Sequence, residues 1–219
     1  MKVRTPPSTA SITTDVDENG KLNAPSAARN ANDVCAAISV IAPHSGVALE
    51  IASGTGQHIV TFASAMPHIQ WQPTEVEPVR IRSIQAYVHE AAQGNIAQPI
   101  LLNATQVGWS AKVSPMDLIT LANLLHLISE GEATKLIAES AKALKPNGKL
   151  FLYGPFRRKG KLTSEGDASF DASIRASDPE TGYKDDGWVK DTAQKNSLTF
   201  HQAVEMPANN LALVFAKKT

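Results

Sequence analysis

Two apolar patterns take turns along the middle of the chain. Val47-Ala-Leu-Glu-Ile-Ala52 is a short, almost wholly apolar run. That is the pattern of a parallel strand buried on both faces. Gln57 to Met66 instead sets Ile59, Val60, Phe62 and Ala63 on one helical stripe, which Pro67 ends. A weaker strand follows at Ile69–Gln72, then a helix opened by Pro78 with Ile81, Ile84, Tyr87 and Val88, then a strand at Pro99–Leu102. Asp117–Leu121 predicts a fourth strand, residues 130–144 a helix, Pro146-Asn147-Gly148 a turn, and Lys149–Tyr153 a fifth strand. This alternation over residues 47–153 predicts an α/β, doubly wound sheet. Ahead of it, Ser26 is placed to cap a helix through Val34 and Ile38 that stops before Pro43.

The flanks read differently. Residues 1–23 are dominated by Pro, Ser, Thr and acidic residues, and are expected to form a flexible polar N-terminal arm. Residues 24–219 are expected to form a single domain. Residues 154–187, rich in Gly, Ser, Asp, Lys and Arg, are long for a connection and are expected to be disordered or a lid-like insertion. Beyond a short helix from Trp188, Leu198–Val204 and Leu211–Ala216 read as two closing strands. The turn at Met206–Asn210 is too short for a crossover helix, so these strands are expected to be antiparallel.

Composition removes several classes of function. The 219 residues carry 21 Lys+Arg and 21 Asp+Glu, a formal net charge of zero, which argues against a broad nucleic-acid binder. One cysteine, Cys35, cannot form an internal disulfide. The six histidines form no H-E-x-x-H motif, so no metal site is expected. No apolar run approaches a membrane span, and a soluble, cytoplasmic protein is the economical expectation. A G-x-S-x-G nucleophile motif is missing too.

The sharpest local signal is Glu50-Ile-Ala-Ser-Gly54-Thr-Gly56-Gln-His58, where a strand enters a glycine-containing turn ahead of a helix. Such a loop lets a ligand approach the backbone outside the carboxyl end of the strand. The dinucleotide pattern G-x-G-x-x-G fails at Ile59, and no phosphate loop is present. S-adenosyl-L-methionine carries no pyrophosphate and needs neither. It needs a thin glycine wall, an acid for its ammonium and an acceptor for its ribose. Glu50 and Glu75 have the chemistry for the last two, Glu75 standing 21 residues after Gly54. Asn123 and His126, just past the fourth strand, are candidates to hold an acceptor and to remove a proton near pH 7. Tyr153, at the end of the fifth strand, is a candidate to orient substrate. The run Arg157-Arg158-Lys159 with Lys161 is either an anion-attracting mouth or a hydrated loop. Asp171, Arg175 and Asp178 are candidates for a lid network, and Asn209 and Asn210 for its rim.

Several segments together are distinctive: Ala28-Arg-Asn30, Leu49–His58, Trp71-Gln-Pro-Thr-Glu75, Ala122-Asn-Leu-Leu-His126, Phe151–Phe156, Phe170-Asp171, Asp178-Pro179 and Met206–Leu211. On these the sequence resembles the DUF938 (methyltransferase-like protein 26) family over about residues 24–217, a family whose fold resembles the class I S-adenosylmethionine-dependent methyltransferases. The resemblance implies a Rossmann-like sheet of seven strands in order 3-2-1-4-5-7-6 with strand 7 antiparallel. It implies cofactor contacts from Glu50, Ala52, Gly54 and Gly56, with Glu75 at the ribose. Arg29, Asn30, Ser53, His58, Asn103 and Asn123 complete the expected cofactor site, and Asn123, His126 and Tyr153 are the expected catalytic residues. Asn103 stands where relatives usually have Asp. Ser177, Thr181 and Lys184 stand where they have Arg, Trp and Arg. The leading expectation is methyl transfer to an unidentified small-molecule acceptor. Alternatives are a non-catalytic cofactor-binding interaction protein, motivated by those departures, and a protein or nucleic-acid methyltransferase. Monomer and homodimer are both compatible with the sequence.

Overall fold

A computed structural model describes residues 16–113 and 115–219. The sheet contains β1 (Gly46–Ile51), β2 (Ile69–Glu75), β3 (Ile100–Leu101), β4 (Met116–Ala122), β5 (Leu144–Arg157), β6 (Lys184–Asp185), β7 (Leu198–Glu205) and β8 (Asn210–Lys217). The helices are α1 (Pro25–Ile41), α2 (Gln57–Ala65), α3 (Pro78–Ala91), α4 (Ser110–Val113), α5 (Glu130–Ala143), α6 (Glu165–Ser177) and α7 (Asp186–Lys195). Strand order is β3-β2-β1-β4-β5-β8-β7, with β8 antiparallel to both neighbours. Setting the two-residue β6 aside, this is the expected seven-stranded order with the last strand reversed. β6 is an addition, pairing parallel with the far end of β5.

The central strands are apolar on both faces because both faces are covered. Ala48, Leu118, Phe151 and Val214 pack on one side with α1, α2 and α3, around Ile38, Phe62 and Trp71. Leu49, Ile119, Leu150 and Leu213 pack on the other side with α5 and α7, around Leu136, Ile137 and Val189. α6 belongs to neither layer and stands beyond the carboxyl ends of the strands.

Several local expectations change. The cap of α1 is Ala24, without a side-chain hydrogen bond, and Pro25 occupies the first turn, so Ser26 lies inside the helix. The turn at Pro146-Asn147-Gly148 is a bulge within β5. Met116 pairs with Leu144 and Leu118 with Lys149, and Asn147 takes the left-handed backbone at φ 63°. β2 runs on through Pro73 to Glu75. Trp71 bonds to Asn95 and Ala97 in the chain entering β3, and the Glu75 carbonyl accepts from the Leu102 N–H just past it. Pro73, between Trp71 and Glu75 on that side, has no N–H to offer, and Gln72 Nε2 donates to the Gln98 carbonyl instead at 2.7 Å.

Residues 1–15 of the expected arm lie outside the described residues. Its last part packs: Leu22 is buried, its N–H donates to Ser83 Oγ at 2.8 Å, and its carbonyl accepts from Tyr87 Oη at 3.2 Å. The segment 154–187 is not disordered. It finishes β5, turns, forms α6 and returns through β6. Its ordering comes from Asp171, which accepts from Arg175 Nε at 2.9 Å, Arg157 Nη2 at 3.1 Å and the Tyr183 N–H at 2.6 Å.

Candidate functional site

β1 and β4 are neighbours, but the chain leaves β1 toward β2 and returns to β4 on the opposite side. Ligands bind at such a switch point, outside the carboxyl ends of the strands. A cavity of about 600 Å³ lies there, within the roughly 300–1,000 Å³ range of small-molecule clefts. Ala52 to Thr55 after β1 and Ala122 to Leu124 at the end of β4 form its floor. Arg29, Asn30 and Asp33 of α1 form one wall, and Phe170 and Tyr183 another.

The glycine loop is fastened to the end of β2. The Ser53 N–H donates to the Thr74 carbonyl at 2.8 Å, and Thr74 Oγ1 donates to the Glu50 carbonyl at 2.9 Å. The Ser53 hydroxyl bonds back to the same two residues, so its role is to hold the loop. Ala52 has φ 53°, a left-handed backbone that costs a residue with a Cβ about 1–2 kcal/mol.

The two glycines do different things. A Cβ on Gly54 meets only the Ala52 carbonyl, at 4.0 Å, so this position opens on the cavity. A Cβ on Gly56 stands 2.9 Å from Ile84 Cα and 3.3 Å from Tyr87. Gly56 therefore serves the close packing of α2 against α3 and does not line the cavity, contrary to its place in the expected cofactor set.

Behind the loop lie two buried acids. Glu75 Oε2 accepts the Gly54 N–H at 3.0 Å and Oε1 the Val76 N–H at 2.7 Å. Burial raises its pKa, opposed by Arg80 and by those two amides. Glu50 is 2% exposed, and its Oε2 has no hydrogen-bond partner among the described residues. Burial pushes its pKa up to about 7, with Ser53 opposing and the Glu75 charge adding. A buried carboxyl with an orphaned oxygen beside an open glycine fits a cationic ligand. Neither acid is itself part of the cavity wall.

His58 and Asn30, assigned to the cofactor set, meet Tyr153 in one chain. His58 Nε2 lies 2.7 Å from Asn30 Oδ1, and Asn30 Nδ2 donates to Tyr153 Oη at 3.3 Å. Burial lowers the His58 pKa to about 4, so the ring is neutral at physiological pH. Arg29 is exposed at the mouth. Asn103 is turned into its own loop, where Oδ1 accepts from the Thr105 N–H at 2.9 Å and Thr105 Oγ1 at 2.7 Å. It does not line the cavity.

Asn123 reaches the cavity with φ 57°, its N–H donating to the Tyr153 carbonyl at 2.9 Å. His126 also lines it, but not as a base that titrates near neutrality. Burial, together with the ammonium of Lys184, lowers its pKa to about 3, and the opposing pull of Asp171 is weaker. Its ring centroid sits 5.9 Å from Phe170 and 6.1 Å from Tyr183.

The basic run is engaged rather than open to anions at its first two members. Arg157 pairs with Asp171, and Arg158 pairs with Glu205 at 2.6 Å and donates to the Asn209 carbonyl at 3.0 Å. Asp171 and Arg175 form the expected network, and the Asp178 carbonyl accepts from the Thr181 hydroxyl at 2.6 Å. Asn209 reaches Ser164 Oγ and Asp167 at the start of α6, and Asn210 lies on the cavity rim.

Sequence reasoning missed Gln57, Ser83 and Arg80. Gln57 Oε1 accepts the Ala24 N–H and the Thr55 hydroxyl, both at 2.7 Å, and so sets the start of α1 over the glycine loop. Ser83 links Leu22 to the Thr55 carbonyl. Arg80 lines the cavity beside Glu75 and Glu77. Gln57 and Ser83 act through contacts 28 or more residues away, for which a sequence holds no local signal, whereas Arg80 pairs locally with Glu77 and Glu75. Among the described residues there is no cluster of ligands able to hold a metal, and no helix is long and apolar enough to cross a membrane.

The fold recurs in solved methyltransferases. An O-methyltransferase family protein from Burkholderia thailandensis superposes with a TM-score of 0.75 at 15% identity, over 88% of this chain and 57% of that one. Human N-acetylserotonin methyltransferase in complex with SAM gives 0.73 at 15% identity, over 89% and 53%. An O-methyltransferase family 2 protein from Planctomyces limnophilus, in complex with apigenin, gives 0.73 at 16% identity, over 88% and 60%. The chain thus spans little more than half the length of these structures, and at such identities the likeness is one of fold. Residues 21–217 match the family described as "Protein of unknown function (DUF938)". With nearly the whole chain matched, the protein belongs to the DUF938 family, built on the class I methyltransferase fold.

Proposed function

We propose that this protein is an S-adenosylmethionine-dependent methyltransferase acting on a small-molecule acceptor. The observation that carries the proposal is Glu50: a carboxyl with an unpartnered buried oxygen, set behind a glycine loop that opens on a cavity at the switch point. Gly54 gives the thin wall, Glu50 the countercharge for an ammonium, and Glu75, held by the Gly54 and Val76 amides, the acceptor for ribose hydroxyls. Asn30, Ala52, Ser53 and Asn123 flank the same space. When bound, the cofactor supplies an electrophilic methyl group.

The chain's own part is positioning and exclusion of water. Its one candidate base, His126, is neutral and weakly basic, suited to a hydrogen bond rather than to taking a proton. Asn123 and Tyr153 face the acceptor half. Phe170 and Tyr183, brought over the strand ends by α6 and β6, line one side of it.

Calorimetry with S-adenosylmethionine and S-adenosylhomocysteine tests the cofactor, and transfer of a labelled methyl group to a metabolite panel tests turnover. Saturable binding of both is expected. Failure of both to bind at millimolar concentration defeats the proposal. Binding without transfer to any member of a broad panel favours the non-catalytic alternative.

Glu50 also sets a pH dependence. The carboxyl is protonated below about 7 and charged above. A cationic ligand favours the carboxylate, so affinity rises with pH up to about 7 and levels off beyond it. Below that pH, binding releases a proton, seen as a heat that varies with the ionisation enthalpy of the buffer. Glu50→Gln is expected to lower affinity roughly tenfold and flatten the profile. An unchanged profile in the variant assigns the titration to another group.

A further inference from the structure

The chain from His58 to Tyr153 has a direction. The oxygen of Asn30 faces His58 Nε2 at 2.7 Å, and the tautomer that makes a hydrogen bond there is the one with its proton on Nε2. The Asn30 amide nitrogen then faces Tyr153 Oη and donates to it. Tyr153 is thereby an acceptor on the Asn30 side, and its one proton is left for another partner. Among the described residues none takes it, although Tyr153 is only 3% exposed and lines the cavity. Burial raises the pKa of this phenol, so the proton stays on.

A donor fixed in this way selects its ligand. It withdraws electron density from any atom it touches, so it does not activate a nucleophile. It holds an oxygen or nitrogen with a free lone pair. Elsewhere in the same cavity three rings stand in mutual contact: His126, Phe170 and Tyr183, with centroids 5.9–6.2 Å apart. Phe170 is half-buried, leaving ring surface toward the cavity. The Tyr183 hydroxyl is taken by Asp167 at 3.2 Å, so Tyr183 and Phe170 offer this wall ring carbon rather than a hydrogen bond. Such a wall favours a flat ring, by roughly 0.5–1.5 kcal/mol per aromatic contact beyond area alone.

We propose that the acceptor is an aromatic molecule with a hydrogen-bond-accepting oxygen or nitrogen beside its ring, and that Tyr153 is the group that reads that atom. Asn30 and His58 are positioning residues that act through Tyr153. The proposal rests on the methyltransferase reading for the meaning of "acceptor", but the binding chemistry is testable without it.

The test uses the full chain and two matched probes, acetophenone and cyclohexyl methyl ketone, titrated with and without S-adenosylhomocysteine and followed by protein-observed NMR. Wild-type protein is expected to bind acetophenone at least threefold more tightly. Tyr153→Phe is expected to weaken acetophenone three- to tenfold. Asn30→Asp, which keeps Tyr153 but gives its proton a carboxylate partner, is expected to do the same. Thermal melting identifies which variants fold. Phe170→Leu, on an accessible side chain, is expected to erase the preference between the ketones. The imidazole ¹H–¹⁵N spectrum of unliganded protein is expected to place the His58 proton on Nε2. A proton on Nδ1, equal affinity for the two ketones, no binding of either, or an unaffected folded Tyr153→Phe overturns the proposal. If the ketone preferences hold while S-adenosylhomocysteine does not bind, the methyltransferase reading fails and the aromatic specificity stands.

Discussion

Gly54→Leu is expected to abolish measurable binding of S-adenosylmethionine while leaving a folded protein. At this position a Cβ enters open space, with only the Ala52 carbonyl at 4.0 Å. A leucine there finds room, but the room is the cavity. The backbone at φ 61° costs a non-glycine residue about 1–2 kcal/mol, and leucine, which is not branched at Cβ, adds no further clash there. For a domain of this size that corresponds to a fall in melting temperature of no more than about 8 °C. The loss of affinity should exceed roughly a hundredfold, about 2.7 kcal/mol, because the ligand cannot share its volume with a butyl group. Gly54→Ala should fall between the two. Gly54→Leu with wild-type affinity places the cofactor elsewhere.

Gly56→Ala gives the contrasting result. Its Cβ meets the backbone of Ile84 at 2.9 Å, and its φ of 103° is one that side chains rarely adopt. The α2–α3 contact must open, at a cost of about 1–3 kcal/mol for the overpacking alone. The expected loss is therefore in melting temperature first, with affinity falling only as the loop follows α2. Had both glycines met the ligand, the two variants would behave alike.

This difference between neighbouring glycines marks where the sequence stops being informative. The strand before the loop, the helix after it and the antiparallel closing pair were legible because their signals are periodic and local: the run Val47–Ile51, the stripe of Ile59 and Phe62, and the short connection from β7 to β8; the order of the strands came only with the family resemblance. Which glycine faces outward depends on Ile84 and Tyr87, about 30 residues further on, and nothing in Gly-Thr-Gly encodes that. The segment after Tyr153 was only half legible for the same reason: a lid network around Asp171 and Arg175 could be named, but disorder could not be set aside. Its apolar residues are scattered, and what orders it is one carboxylate reaching 14 residues back to Arg157 and 12 forward to Tyr183. Pro146-Asn147-Gly148 carries turn chemistry and does turn, but inside a strand whose pairing resumes at Lys149. His126 is a reasonable base by residue type. Only its burial beside Lys184 shows that it is not one near neutrality. Leu22, the single apolar anchor in a polar stretch, has no periodic companion to announce it.

Asp171→Ala is expected to release α6 and β6 from the strand ends. The carboxylate, 5% exposed, is the common acceptor for Arg175, Arg157 and the Tyr183 amide. Its removal leaves a buried N–H without a partner and two guanidinium groups without their countercharge. Loss of one side of a buried ion pair typically costs about 3–5 kcal/mol. Both arginines are about one-third exposed and turn partly to water, which places the expected cost near the lower end. At 2–4 °C per kcal/mol that is a fall of roughly 6–12 °C if the whole domain melts together. If the segment opens on its own, the same loss appears as fast amide exchange confined to residues 165–185, with the main transition little moved. Asp171→Asn, which keeps an acceptor for the Tyr183 amide, should lose about half as much. The sign of the pH effect follows from the carboxylate. Burial would raise its pKa, but Arg175, the Tyr183 amide and Arg157 outweigh that and hold it below the usual range. Its stabilisation is therefore fully present above the unfolded pKa of about 3.9 and fades as pH falls through the lower folded value. The gap between wild type and Asp171→Ala should be constant from pH 5 to 8 and close in acid. Because Phe170 precedes this carboxylate in the chain, Tyr183 donates its N–H to it, and both line the cavity, the variant should also weaken acetophenone without touching Tyr153. A variant that melts and exchanges like wild type would show that the segment is held by its apolar contacts alone.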